Sequence, residues 1–311
     1  MTPGTLTRGR LSDHPIWRRA LEADELVGRL ILPVIVSGAV EDRERVEGTG
    51  GLARISITEA VREARAAASA GLAGILVFGV SDRKDETAVL ASERDHVVPR
   101  AIRALKDAVP DLAVATDVCV CAYTAHGQCV LFSGGGADIG ATLERLAEIA
   151  RVHADSGADL LIPSGMLDGT VPAIRGALAA EHADVPVAAM AKLESALYRA
   201  HRTAVSGVPV SDRAVPLLDP TDRAAALARV SRDLAHGADA VVVKPGMPAL
   251  DVVAALRAGV DRPVVSFHTA DEHALFAAET DVDGVAAERE MLGAARRAGA
   301  DLVITYGGLP R

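Results

Sequence analysis

The chain has 311 residues, a formal net charge of −9 at pH 7, and 50% hydrophobic but only 3% aromatic residues. The acidic balance, with no basic cluster, excludes nucleic acid and anionic membrane surfaces as expected partners. No apolar run approaches the roughly 20 residues of a membrane span, and Met1–Arg10 lacks the apolar core of a signal peptide, so we expect a cytoplasmic protein.

Residues 1–29 are predicted to form an N-terminal arm with a short helix, followed by apolar strand-like runs that alternate with amphipathic helical runs. Eight strands are predicted, at Leu30–Val36, Gly74–Phe78, Leu112–Asp117, Asp159–Ile162, Val185–Ala189, Ala240–Val243, Pro263–Phe267 and Asp301–Thr305. Helices are predicted at Ile57–Ala70, Val98–Ala108, Ala141–His153, Val171–Ala180, Asp222–Ala235, Leu250–Ala258 and Val285–Ala298.

This alternation predicts an α/β fold, a single (β/α)₈ TIM barrel over residues 30–311. A doubly wound open sheet is the alternative, but it would need a glycine-rich turn after the first strand. Val36-Ser-Gly-Ala does not supply that turn. The charged, glycine-rich stretch Ser37–Arg54 is expected to be a mobile loop or an inter-subunit element.

The sixth strand ends in a lysine, Lys244, which Pro-Gly-Met-Pro follows at once. At the end of a fully apolar strand, desolvation favours the neutral amine, and a neutral amine can form Schiff bases with carbonyl substrates. The alternative is a lysine whose stem packs while its ammonium reaches water.

A repeat places further polar side chains at the ends of strands. Gly-Ala-Asp begins at Gly157, Gly237 and Gly299, and seven residues after each glycine stand Ser164, Lys244 and Tyr306; the same count from Gly71 gives Phe78. In a barrel these positions fall at the C-terminal face, where active sites lie. A recurring helix-to-strand turn would explain Gly-Ala-Asp, although not the polar ends.

The three cysteines of the chain, Cys119, Cys121 and Cys129, all follow the third strand. Three thiols so close together suit a soft divalent metal, with the fourth position left for water or substrate. His126 could be a fourth ligand, but a turn or supporting role fits it at least as well. The alternative is that the cysteines are small buried fillers.

With both features in place, the chain resembles the porphobilinogen synthase (5-aminolevulinate dehydratase) family from about Arg10 to Tyr306. The most specific matches are Ala115–Cys129 and Gly237–Pro248, and weaker ones surround Ser164, Lys192, Arg213 and Tyr306. The resemblance implies a (β/α)₈ barrel with an N-terminal arm, a homo-oligomer (an octamer or smaller), and a lyase that condenses two small 5-aminolevulinate molecules.

The resemblance also implies roles for individual residues. Lys244 and Lys192 would form Schiff bases with the first and second substrate. Cys119, Cys121 and Cys129 would hold a Zn²⁺ that polarises the second substrate and activates water. The substrate-binding side chains would be Asp117 and Ser164 for the first amino group, Arg202 and Arg213 for one carboxylate, and Tyr306 for the other. Phe78, from its position at a strand end, is a further candidate for substrate binding. Whether Mg²⁺ contributes at a subunit contact stays open.

Several positions depart from the family pattern. Ala188, Ala189 and Met190 precede Lys192, Leu217 replaces a glutamine, and Ala270 replaces a serine that partners Tyr306. His201 precedes Arg202 where the family has phenylalanine, and the last helix of the family is expected to be missing. These changes lie at positions expected to recognise the first substrate or to form the walls near Lys192. An alternative hypothesis is therefore a paralogue that acts on a different amino-ketone or keto acid. A third possibility is a non-catalytic metal-binding assembly protein.

Overall fold

The computed structural model describes residues 9–278 and 282–307. Eight parallel strands form its centre, which confirms the predicted barrel. They are β1 Leu30–Ser37, β2 Gly74–Val80, β3 Ala113–Val118, β4 Leu160–Pro163, β5 Ala188–Lys192, β6 Ala240–Lys244, β7 Val264–Phe267 and β8 Leu302–Ile304. None of the helices in these residues is long and apolar enough to cross a membrane.

The strands follow one another around the barrel in chain order, and β1 pairs with both β2 and β8. The circle closes between β4 and β5, where Leu161 bridges Val187 and its N–H donates to the Pro186 carbonyl (3.0 Å). Nearly every strand residue is buried, since the strands contact side chains inside the barrel and helices outside it. All strands therefore end at one face.

Seven helices follow the first seven strands on the outside of the barrel. They are α1 Ile57–Ser69, α2 Val97–Ala108, α3 Ile139–Asp155, α4 Thr170–Leu178, α5 Arg223–Ala235, α6 Leu250–Gly259 and α7 Gly284–Ala298. Side chains cap several of them: Ser56, Asp138 and Asp222 each accept a hydrogen bond from a backbone N–H in the first turn. The buried residues of α1 are Glu59 and three alanines, Ala60, Ala64 and Ala67, and such small side chains let the helix pack closely on the sheet.

The Gly-Ala-Asp repeat is a structural turn at the start of strands. Its glycines have φ between 97° and 110°, a left-handed conformation that ends the preceding helix. Each aspartate then accepts a hydrogen bond from the backbone of a neighbouring strand: Asp159 from Val114, Asp239 from Val187 and Asp301 from Val264. The repeat is thus the recurring helix-to-strand turn, and the polar strand ends are a separate feature.

The described part of the N-terminal arm covers the opposite end of the barrel, where the strands begin. Two short helices, Arg10–Asp13 and Pro15–Glu22, bury Leu11 and Trp17 completely. The Trp17 indole donates to the Asp159 carbonyl (2.8 Å), and Arg10 pairs with Asp239 (3.1 Å). Residues 1–8 of the predicted arm, and 308–311 of the predicted barrel domain, lie outside the described residues.

Two local predictions differ from the structure. β5 covers 188–192 rather than 185–189, because 185–187 only bridge to β4 and the small Ala-Ala-Met-Ala run continues as the strand. Within Ser37–Arg54, residues 43–45 pair antiparallel with 53–55, and 53–55 then pair in parallel with β1. This hairpin (residues 43–55) therefore extends the sheet and is not a loop throughout; a role as an inter-subunit element stays a prediction.

Candidate active site

Lys192 and Lys244 end neighbouring strands and are paired in register across β5 and β6. Both are buried, with 8% and 5% of their surface exposed. Lys192 is therefore a buried residue at the end of a barrel strand. Because neighbouring parallel strands lie about 4.8 Å apart, two amines project from adjacent positions at the C-terminal face.

Aromatic rings surround the two amines. The Nζ atoms of Lys192 and Lys244 each lie 5.4 Å from the centre of the Tyr198 ring, and Lys244 Nζ lies 3.8 Å from that of Phe267. The Tyr198 hydroxyl donates to the Leu193 carbonyl (2.7 Å), which fixes the ring between the lysines. Sequence reasoning missed Tyr198 and Phe267, since only the fold brings them to the amines.

Burial, and after it the neighbouring Lys192 charge, lower the pKa of Lys244 to about 7. The pKa of Lys192 is also lowered, first by burial and then by the Arg213 charge. A pKa near 7 leaves about half of the Lys244 side chains as the neutral amine at neutral pH. Lys244 can therefore act as a nucleophile without a separate base to deprotonate it.

The loop after Lys244 is held by a buried carboxylate. Glu272 is fully buried and accepts hydrogen bonds from the backbone N–H groups of Gly246 (3.3 Å) and Met247 (2.6 Å). A side chain at Gly246 would lie 2.6 Å from the His268 ring, so only glycine fits there. These contacts hold the backbone in a fixed path directly after Lys244, the last residue of β6.

Asp117, in β3, faces the lysines. Burial raises the pKa of Asp117 to about 6, while the Ser164 hydroxyl and the two lysine charges oppose this rise. Ser164 directly follows β4, the strand paired with β3. Asp117, Ser164, Lys192 and Lys244 therefore lie near one another at the C-terminal face of the barrel.

The three cysteines form a compact buried cluster, with all three Sγ atoms within 4.8 Å of one another. A tetrahedral zinc ion bound by thiolates at about 2.3 Å sets its sulfurs about 3.8 Å apart, so the cluster fits such an ion. His126 is not part of the cluster: its Nδ1 accepts from the Gln128 N–H (3.1 Å) within a turn. The three thiols therefore leave one coordination position for another ligand.

The two arginines expected to bind a carboxylate lie at this cluster. Arg213 Nη1 donates to Cys129 Sγ (2.9 Å), and Arg202 Nη1 lies 3.6 Å from the same sulfur. Hydrogen bonds from the other two thiols, and then the arginine charges, hold the pKa of Cys129 well below its usual value. The two arginine charges therefore lie beside the cysteine cluster, and both lower the pKa of Lys192.

Tyr306 and Phe78 occupy different parts of the site. The Tyr306 hydroxyl is buried without a hydrogen-bond partner among the described residues, and Tyr306 lines a cavity together with Ala270. Phe78 packs edge-on against the His201 ring (4.5 Å between centroids) and lies 6.4 Å from Phe267. The sequence marks His201 only as a changed position, whereas the structure places its ring in the wall of the site.

The sequence model of the family described as "Delta-aminolevulinic acid dehydratase" matches residues 7–309. The protein of that name from Escherichia coli K12 is 36% identical over 303 residues, covering 96% of this chain and 94% of its own, and that of Methanothermus sociabilis is 35% identical, covering 89% and 88%. The Toxoplasma gondii enzyme, solved with the reaction product porphobilinogen, superposes with a TM-score of 0.86 at 29% identity, covering 97% of this chain and 90% of that one.

Proposed function

Since the chain belongs to the delta-aminolevulinic acid dehydratase family and is a lyase of that type, we propose that it condenses two 5-aminolevulinate molecules into porphobilinogen. The observation that carries this proposal is the buried pair Lys192 and Lys244, in register at the C-terminal face. Two ketone substrates held on adjacent amines are close enough to react with each other.

The first step is assigned to Lys244. Its neutral amine attacks the ketone carbon of the first substrate, and an imine forms as water leaves. Asp117 and Ser164 lie across the barrel from Lys244, where they can bind and orient the amino group of the same molecule. The Phe267 and Tyr198 rings exclude water from the imine.

The second substrate is assigned to Lys192 and to the region of the three cysteines. Cys119, Cys121 and Cys129 would hold a zinc ion, which supplies polarisation of a bound substrate oxygen. Arg202 and Arg213 flank Cys129, so a carboxylate bound by their planar forks would lie beside the cluster. This arrangement holds the second molecule with its ketone towards Lys192.

We further propose that the protein acts in the cytoplasm as a homo-oligomer of up to eight chains, with Mg²⁺ dependence left open. Large exposed apolar side chains support a subunit contact: Leu275, Val282 and Val285 are each more than half exposed. Analytical ultracentrifugation with and without Mg²⁺ tests the assembly.

The experiment incubates the zinc-loaded protein with 5-aminolevulinate, assays porphobilinogen, and traps imines with borohydride for peptide mass mapping. The chain has four lysines, so Lys84 and Lys106 serve as internal controls; Lys106 is already paired with Asp159 (2.8 Å). Porphobilinogen with adducts on Lys244 or Lys192 supports the proposal. Adducts without porphobilinogen would leave a different amino-ketone or keto acid as the substrate, an alternative that Ala270 and the unpartnered Tyr306 hydroxyl favour.

A further inference from the structure

The segment after β5 brings Arg202 to the cysteine cluster on a tight turn (residues 204–208). The short helix Arg199–Ala204 ends there, and Ser206 has a φ of +54°. A residue other than glycine keeps this left-handed conformation only when surrounding contacts hold it. The Gly207 N–H then donates to the Arg202 carbonyl (2.9 Å). The chain thus turns back on the arginine that it carries.

This turn encloses the Arg202 guanidinium. Arg202 Nε donates to the Val208 carbonyl (2.6 Å) and its Nη2 donates to the Gly127 carbonyl (3.2 Å). The Val208 N–H donates to the same Gly127 carbonyl (3.1 Å). A side chain at Gly207 would lie 2.7 Å from the guanidinium, so a larger residue there would displace the arginine. The place of Arg202 beside Cys129 therefore depends on where the turn lies.

Arg54 holds the turn from the hairpin (residues 43–55). Its Nε donates to the Ala204 carbonyl (2.8 Å), and its Nη2 donates to the Ser206 hydroxyl (3.1 Å). The carbonyls in the last turn of a helix have no partner within that helix, so the guanidinium supplies one for Ala204. Because Arg54 is paired in register with Ile35 of β1, its backbone is fixed to the barrel.

A second cation holds the same turn from the loop after β2. Lys84 Nζ donates to the Ser206 carbonyl (3.1 Å). The next residue, Asp85, is bridged to Thr124 in the cysteine loop (residues 119–129). The turn is therefore held by side chains from two other elements, one tied to the sheet and the other to the cysteine loop.

We propose that Arg54 is a positioning residue for the second substrate and that Lys84 assists it. Together they hold the turn where it places Arg202 beside Cys129 to bind the substrate carboxylate. Without them the turn occupies this position only part of the time, and the apparent affinity falls in proportion to that fraction. Saturating substrate restores the position, so kcat is kept. The effect on substrate rests on the proposed function, whereas the position of the turn does not.

The test combines steady-state kinetics of porphobilinogen formation with hydrogen exchange of the zinc-loaded protein, measured by mass spectrometry on peptides covering residues 199–208. We expect Arg54→Ala to raise the KM for 5-aminolevulinate about tenfold, as loss of a charge-assisted hydrogen bond does, with a much smaller change in kcat. Exchange within residues 199–208 should be faster in the free protein and should slow again at saturating 5-aminolevulinate.

Further variants separate positioning from general stability. Arg54→Lys keeps the charge and one donor, so it should recover part of the loss. Ser206→Ala, at an exposed side chain, removes a single contact without disturbing the core and should raise KM in the same direction, as should Lys84→Met. Arg45→Ala is the matched control and should change nothing. Arg45 is exposed and adjoins the Glu44–Arg54 pair of the same hairpin, so its side chain lies on the opposite face.

The outcomes for the two proposals differ. If Arg54→Ala leaves both KM and the exchange within residues 199–208 unchanged, or lowers kcat at an unchanged KM, the positioning role is wrong. If the unaltered protein forms neither porphobilinogen nor an imine, the proposed function fails, while the exchange measurements still decide whether Arg54 holds the turn.

Discussion

Lys192 and Lys244 are direct partners across two parallel strands, and both amines lie 5.4 Å from one shared ring, that of Tyr198. Burial disfavours an ammonium ion at either position. The Lys192 charge adds to this effect at Lys244, and the Arg213 charge adds to it at Lys192, so both amines are shifted towards the neutral, nucleophilic form.

The first prediction concerns the pH dependence of imine formation on Lys244. Because the pKa of Lys244 is lowered to about 7, trapping of a keto acid should rise with pH through about 7 and level off above it. Lys192→Met removes a positive neighbour, so the pKa should rise and the profile should move to higher pH. Asp117→Asn removes a negative neighbour, so the profile should move to lower pH.

The measurement is the rate of borohydride-trapped adduct on Lys244 between pH 5 and pH 10, by peptide mass mapping. Shifts of the two variants in the same direction would contradict the electrostatic explanation, since the two removed charges have opposite sign.

The second prediction concerns Arg213. Its guanidinium contacts Cys129 Sγ and the carbonyls of Gly165 (3.0 Å) and Val215 (3.1 Å) at once. A lysine keeps the charge but cannot reproduce this planar fork. We expect Arg213→Lys to raise the KM for 5-aminolevulinate about tenfold, as one charge-assisted hydrogen bond is lost, with a smaller effect on kcat.

Steady-state kinetics of porphobilinogen formation would measure this change. Arg223→Lys, at an exposed ion pair with Asp251, is the matched control and should leave both constants unchanged. A fall in kcat with an unchanged KM would show that Arg213 does not bind the ground-state substrate.

The barrel and its strand ends could be predicted from sequence because their signals are local. Apolar runs define the strands, and the Gly-Ala-Asp turn recurs at a fixed distance from Ser164, Lys244 and Tyr306. The predicted position of β5 lies three residues before the observed one, because Ala188-Ala-Met-Ala lacks the β-branched residues that identify a strand. The barrel closes between β4 and β5 through a single bridge, from Leu161 to Val187, which no sequence pattern marks.

The rest of the site depends on contacts between distant segments. Phe78 meets His201, and the cysteine loop meets Arg213, only after the segment following β5 has folded over the barrel. The cavity beside Tyr306 depends on where the hairpin begins to pair with β1, which no sequence pattern indicates. Such features require the three-dimensional structure.

The third prediction concerns stability at the opposite end of the barrel. Asp239 binds Arg175, Arg10 and the Val187 N–H together. The Arg175 side chain is only 13% exposed, so Asp239→Ala would leave a buried charge without its partner. We expect the free energy of unfolding to fall by about 3 kcal/mol.

Urea denaturation followed by circular dichroism would measure this loss. Asp251→Ala breaks an exposed pair with Arg223 (3.8 Å) and should cost less than about 1 kcal/mol. Equal losses in the two variants would show that burial of the Arg175 pair does not determine its contribution.

The last prediction concerns the metal. Three buried thiols within 4.8 Å of one another should bind about one zinc ion per chain. Cys129→Ser removes one of three ligands and should lower the zinc affinity roughly tenfold or more, since changes even to the neighbours of metal ligands can have effects of this size. Metal analysis after dialysis against a graded zinc buffer would measure it without relying on activity.

The chain offers a matched control for this measurement. Asp155, Glu181 and His182 also lie within 4.8 Å of one another. However, Asp155 is already paired with Arg94 (2.7 Å) and His182 (2.6 Å), so its charge is compensated. His182→Ala should therefore leave the zinc content unchanged. If His182→Ala lost the ion while Cys129→Ser kept it, the metal would belong to the surface cluster, and the polarising role assigned to the three cysteines would have to be abandoned.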